Sequence, residues 1–257
     1  MPKQLTQDTS FHWCDQHGYR VPRHQFEPVF QALAVMNPAV RLDDVDIVNY
    51  NTLQKLCSFA SFKRGQAFYV DLDMVQDTFF IRRREAKAKT KQNSGYGRIF
   101  EETFTTEDPG ISQAKGHHRI IPYKFGALNL VLRLEADSYY PEDEDIEYSP
   151  NDFFRDMLET TTRNSIQHRS PQPTTFIAKG TMVPHNKTLE LKSRSSKSAA
   201  FEQVLFGRTP YLCIVKHREG SRGLIEAANV VRIKQSEFKE WEARNQKHFF
   251  EAIVVPV

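Results

Sequence analysis

Apolar residues recur along this chain with two distinct periods, and the changes from one to the other mark its elements. In FEPVFQALAVM (26–36), Phe26, Val29, Phe30, Leu33 and Met36 fall at helical spacing, and Asn37-Pro38 closes the run. A second short helix is expected over NTLQKLCSFA (51–60). The period then shortens to two, so that QAFYVDLDMV and DTFFIRRR read as strands joined by a polar turn. GYGRIFEETFTT (95–106) turns helical after Gly97, and RIIPYKFG and LNLVLRLEAD are two more strands with Gly126 at their turn. An acidic loop, PEDEDIEYSPND, leads to a helix over FFRDMLETTTRNSIQ. FIAKGTMV and TLELKSRS read as a hairpin with PHNK as its turn. A helix SAAFEQVLFG, the strands PYLCIVKHR and LIEAANVVRI about an EGSRG turn, and a last helix SEFKEWEARNQKHFF complete the pattern. This order predicts an α+β fold with a central mixed β-sheet flanked by helices. Residues 1–25 are expected to form an N-terminal arm and residues 26–257 a single domain.

Composition narrows the class without naming a chemistry. Of 257 residues, 39% are hydrophobic and 12% aromatic, enough for a sizeable core. A net charge of +3 suits an anionic partner without demanding one. Cys14, Cys57 and Cys213 lie far apart, with neither zinc spacing nor a disulfide framework, which fits a reducing compartment. The polar start MPKQLTQDTSFHWC carries no apolar signal core, and no apolar run nears the roughly 20 residues that span a bilayer. The expectation is an intracellular protein, cytoplasmic or nuclear, that does not engage a membrane.

The candidate chemistry lies in two strands. In TLELKSRS, Glu190 and Lys192 are two apart on one face while Leu189 and Leu191 share the other. In LNLVLRLEADSY, Glu135 and Asp137 repeat the spacing on an otherwise apolar strand. A buried carboxylate is costly unless it is paired or bound to metal. Two such strands, if neighbours, would hold a hard divalent cation such as Mg²⁺ or Mn²⁺, which prefers oxygen ligands and keeps several waters. A lysine beside them offers one compact positive charge to a phosphate or an attacking hydroxide. On an exposed strand the same E-x-K pair would be a surface ion pair of little worth.

The order of motifs resembles that of the DXO-type RNA 5′-end decapping exonucleases, a PD-(D/E)XK-like nuclease family, and of their fungal relatives. A G-x-x-F-E element stands at Gly97, Phe100 and Glu101, an E-x-D strand at Glu135 and Asp137, and an E-x-K strand at Glu190 and Lys192. A helix bearing Gln203 follows, then Gly207 and Pro210. The resemblance implies a nuclease-like core and a metal-dependent hydrolase acting on RNA 5′ ends, by decapping, deNADding, pyrophosphohydrolysis or 5′–3′ exonuclease action. It implies that Asp137 and Glu190, with the Leu191 carbonyl, ligate Mg²⁺ or Mn²⁺. Glu135 and either Glu101 or Glu102 act directly or through bound waters. Lys192 positions the attacking water, and Gln203 contacts the scissile region. Where the family carries a phosphate-facing arginine, this chain has Tyr50 or Asn51. That departure keeps open a second reading, a catalytically inactive RNA-binding or scaffold protein on the same fold.

Arg82, Arg83 and Arg84, with Lys87, Lys89 and Lys91, form the densest basic run. They and Arg194 are candidate RNA-backbone contacts, weighed against an ordinary solvated surface. His117, His118 and His185 lack metal spacing with any cysteine and are read as capping, surface or turn residues.

Overall fold

The structure is a computed structural model that describes residues 3–9, 25–60, 67–84, 95–108, 110–111, 114, 116–125, 128–140, 177, 183–193, 198–218, 223–241 and 243–244. Ten strands and four helices follow in order: β1 (Lys3–Gln4), α1 (Glu27–Met36), β2 (Asp46–Asn49), α2 (Tyr50–Ala60), β3 (Tyr69–Val75), β4 (Thr78–Arg84), α3 (Gly97–Phe104), β5 (His118–Phe125), β6 (Leu128–Glu135), β7 (Ser138–Tyr139), β8 (Thr188–Lys192), α4 (Ser198–Phe206), β9 (Tyr211–His217) and β10 (Leu224–Arg232). Residues 235–241 are again helical and form α5. Most described helices and strands fall where the two periods placed them; β1, β2 and β7 were not expected from the sequence.

The α+β architecture is as expected, but the strands divide into two mixed sheets of five, ordered β1-β10-β9-β8-β7 and β3-β4-β2-β6-β5. In the second sheet β2 lies parallel to both β4 and β6, flanked on both sides by paired strands. Such strands are covered on both faces, and accordingly Ile47, Val48, Leu130, Val131 and Leu132 are all buried. One face packs on α2 and Phe206 of α4, and the other on Phe26 and Val29 at the start of α1. The first sheet is covered on one face by Phe100 of α3 and on the other by Val204 and Leu205 of α4. Helix α4 therefore supplies side chains to the cores of both sheets, with Phe206 toward one and Val204 toward the other.

The N-terminal residues are part of this arrangement. β1 pairs antiparallel with β10, and Leu5 is buried against Phe100. Asp8 lies beneath the first turn of α3 and accepts backbone N–H groups from Arg98 at 3.2 Å and Ile99 at 3.0 Å. It thus caps a helix about 90 residues downstream, whose own N-cap residue Tyr96 makes no side-chain cap bond. The predicted helix over 153–167, most of the FIAKGTMV strand and the acidic loop at 141–152 lie outside the described residues. The PHNK turn ends in a single 3₁₀ turn, His185–Lys187.

Candidate active site

Two strand endings meet where the chain crosses from one sheet to the other. The E-x-D strand stops at Glu135, so Asp137 is not a strand residue as expected. It lies in the two-residue link before β7, which pairs with β8 in the other sheet. β6 and β8 are therefore not sheet neighbours, and the E-x-D and E-x-K motifs meet across the sheet junction. The Leu191 N–H donates to Asp137 Oδ2 at 2.8 Å, which fixes the carboxylate against β8. Alternation along β8 does the rest. Leu189 and Leu191 are buried in the apolar layer with Phe100, while Glu190 and Lys192 project from the opposite face.

The charges at this junction are close and unequal in number. Lys192 Nζ donates to Glu190 Oε1 and lies 3.9 Å from Asp137 Oδ2. The Glu190 side chain is only 2% exposed. Burial, then the Asp137 carboxylate, push the Glu190 carboxyl well above its ordinary range, and Lys192 only partly offsets them. A side-chain hydrogen bond between Glu190 and Asp137 adds to the rise, as when two carboxylates share one proton. Burial works against the Lys192 charge, but Glu190 and Asp137 outweigh it and the ammonium is held more firmly than usual.

Glu101 joins them from α3, which packs on β8 with Gly97 against Ser193. Burial first, and then Asp137, raise its carboxyl to about 8, with Lys192 opposing and Glu135 and Asp8 adding smaller pushes. The neighbouring Glu102 points away, 53% exposed and paired with Arg98 at 2.7 Å. Of the two adjacent candidates, only Glu101 belongs to the cluster. Glu135 is exposed at the end of β6, opposite His118 in register. The backbone at Gly116 comes close to its carboxylate, and a Cβ there would lie 2.6 Å from Oε1. Gln203 is half-buried on α4.

Arg82 and Arg84 lie on β4, separated from β6 by β2, and both reach Asp71 on β3, at 3.0 and 2.5 Å. Two of the candidate RNA contacts are thus engaged in an ion-pair fork; the Arg83 N–H bonds Thr52 Oγ1 at 3.2 Å. Arg194 lies outside the described residues. His185 is a turn residue, and burial first, then the Arg119 charge, lowers its pKa to about 4.

Two residues were missed by sequence reasoning. Asp8 holds the helix that carries Glu101, and no local pattern announces a cap supplied from so far away. Tyr50, noted only as standing where an arginine was expected, begins α2 and turns inward. Burial first, then Glu190 and Glu202, push its hydroxyl far above the ordinary phenol value.

The donor set suits a hard divalent cation: buried carboxylate oxygens in hydrogen-bond contact, crowded enough to retain protons that a cation would displace. Among the described residues no group of three or more His, Cys, Asp and Glu side chains is gathered closely enough to hold one alone. Asp137 and Glu190 would hold it, with water and substrate oxygens completing the shell, as is usual for Mg²⁺.

Comparisons with known proteins agree with this geometry at the level of fold. The chain is similar to Rai1 of Scheffersomyces stipitis in complex with (3′-NADP)⁺ and calcium ion, with 10% identity, TM-score 0.51, and coverage of 100% of this chain and 84% of that one. It is also similar to Schizosaccharomyces pombe (S. pombe) Rai1 with 3′-FADP, at 11% identity and TM-score 0.49, covering 87% of this chain. In that comparison it spans only 65% of the relative's length. Candida albicans Rai1 in complex with pU5-Mn²⁺ matches at 13% identity and TM-score 0.49, covering 93% of this chain and 71% of that one. The fold is DXO-like, as the motif order implied. No curated protein matches the chain. A family model described as Domain of unknown function (DUF8563) matches residues 1–255, and the chain belongs to that family.

Proposed function

We propose that this member of the DUF8563 family is a metal-dependent hydrolase of phosphodiester or pyrophosphate linkages at RNA 5′ ends. The observation that carries the reading is the contact of Asp137 and Glu190 beside Lys192, with Glu101 facing them, at a sheet junction of a Rai1-like fold. The S. stipitis Rai1 structure with a dinucleotide and calcium supports extending nucleotide and divalent-cation binding to this chain.

A bound Mg²⁺ or Mn²⁺ would polarise the phosphate and lower the pKa of water, as divalent ions do in such sites. The remaining work falls to the chain's own groups. Asp137 is held by the Leu191 N–H, so its second oxygen is presented at a fixed angle. Lys192 keeps its proton beside Glu190 and would supply positive charge where negative charge develops on the phosphoryl oxygens. Glu101, held neutral to about 8, is suited to hand over or take up a proton near neutrality. The Leu191 carbonyl, Glu135 and Gln203 complete the proposed set.

The test is a panel of 5′-end-labelled RNAs bearing triphosphate, monophosphate, hydroxyl, cap or NAD ends, assayed with Mg²⁺ and Mn²⁺. Metal-dependent release from at least one end, abolished by Asp137→Ala with Glu190→Ala in a folded protein, supports the reading. Hydrolysis unchanged in the double variant places the chemistry elsewhere. RNA binding with no hydrolysis of any end leaves the inactive RNA-binding protein as the function.

A further inference from the structure

We infer that the outer edge of β3 is a homodimer interface, at which two copies of the chain pair β3 with β3 antiparallel about a two-fold axis at Leu72. The two five-stranded sheets then continue into one. The inference is independent of the chemistry at the sheet junction, because β4 and β2 separate β3 from β6.

β3 ends its sheet, and among the described residues no strand pairs with its outer edge. Such an edge aims a row of backbone N–H and C=O groups outward, a template for another strand. Natural edges are blunted by bulges, proline or lysine. The sequence YVDLDMV has no proline or lysine, and its pairing with β4 runs without a bulge from Tyr69 to Val75. Its apolar side chains are bare as well: Tyr69, Leu72, Met74 and Val75 are between 60% and 71% exposed. Val70, Leu72 and Met74 stand opposite Arg83, Ile81 and Phe79 of β4, and so carry the apolar layer beside α2 out past the sheet edge. Tyr69, Asp71, Asp73 and Val75 share the other face.

The occupant of this edge follows from the strand's own order. Leu72 is the middle residue of the strand, so an antiparallel second copy centred there pairs it over its whole length. Leu72 then meets the partner's Leu72, Met74 meets the partner's Val70, and Val75 meets the partner's Tyr69. Every exposed apolar position thus faces an apolar one. Asp73 meets the partner's Asp71, and two carboxylates side by side repel unless cations lie between them. The cations are present. Asp71 is held by Arg82 at 3.0 Å and Arg84 at 2.5 Å, one carboxylate for two guanidinium groups. Asp73 makes no hydrogen bond or ion pair among the described residues. The fork therefore carries a positive charge in excess and Asp73 a negative charge unmet, and the two-fold brings them together on both sides of its axis. Registers centred two residues away lose this match: about Met74, Asp73 faces the partner's Val75, and about Val70, Asp71 faces the partner's Tyr69.

Sedimentation equilibrium of the full chain at concentrations up to about 100 µM tests the interface. Wild type is expected to reach the dimer mass within that range. Leu72→Lys, which sets two ammonium groups against each other on the axis, is expected to stay monomeric throughout. Asp73→Lys, which adds a cation to the arginine fork, is expected to weaken dimerisation by about tenfold or more. Both side chains are exposed, so both variants should keep the wild-type circular dichroism. Oxidative cross-linking reads the register, with wild type treated alike as the reference. Leu72→Cys is expected to form a covalent dimer. Tyr69→Cys is not, because its two copies lie about 20 Å apart at opposite ends of the paired strands. A monomer at every concentration would overturn the inference and leave the edge to a different partner. So would a dimer that survives Leu72→Lys, or one that cross-links as readily through Tyr69→Cys as through Leu72→Cys.

Discussion

Charged residues two apart on a strand occur in both sheets, with opposite physical outcomes. On β4, Arg82 and Arg84 share a face and both engage Asp71, with Arg84 68% exposed. The Arg84 hydrogen bond and the charges of both arginines hold the Asp71 carboxyl below its ordinary range, so its charge is comfortably met. On β8, Glu190 and Lys192 have the same spacing, but Glu190 is buried and faces Asp137, with Glu101 close by. One lysine meets several carboxylates there, and the carboxylates respond by holding protons. Alternation is common to both strands. Burial and an unmet excess of one charge distinguish a site from a surface pair.

The comparison can be broken in order of effect. The largest change is expected for Glu190→Ala with Asp137→Ala, which should lower RNA 5′-end hydrolysis by roughly 10²–10³-fold or more, read by single-turnover assay. Lys192→Met should leave buried carboxylates without their cation and cost about 3 kcal/mol or more at pH 8 by urea unfolding. That cost should shrink at pH 5, where Glu190 and Glu101 hold their protons. The pH dependence of the metal-free protein follows from the same groups. Glu101 and Glu190 bind protons more tightly folded than unfolded, so their contribution is complete below the ordinary carboxyl range and is lost as pH rises through the folded values. The melting temperature should therefore fall between about pH 5 and pH 8, and Glu101→Gln should flatten that fall.

Asp8→Ala tests the support beneath Glu101. Loss of two charge-assisted bonds to the first turn of α3 should cost about 1–2 kcal/mol and also weaken hydrolysis, because Glu101 rides on that helix. The smallest effect belongs to the other sheet. Asp71→Ala should leave the urea-unfolding midpoint close to wild type and hydrolysis unaltered.

Much of this was legible in the sequence because it is local. The period-two runs placed β3 to β6 and β8 to β10, and the Gly97 opening placed α3. What escaped was non-local. β1 and β7 are two residues long and owe their existence to β10 and β8, so no run of residues could announce them. Asp137 looked like a strand residue because it continues the alternation of Glu135, yet the ladder ends one residue earlier and the carboxylate lies at the crossing between sheets. Glu101 and Glu102 differ by one step of helical phase, and only the packing of α3 on β8 selects between them. Tyr50 was visible as a residue type, but its unpaired hydroxyl is a property of how α2 meets α4.

The account turns on whether the crowded carboxylates at the sheet junction are a cation site. Calorimetric titration of the metal-free protein with Mn²⁺ at pH 7.5 tests it most directly. Saturable uptake with proton release, lost in Asp137→Asn and in Glu190→Gln while both variants remain folded, is the predicted result. Uptake that is absent from wild type, or unaltered in both variants, would contradict it.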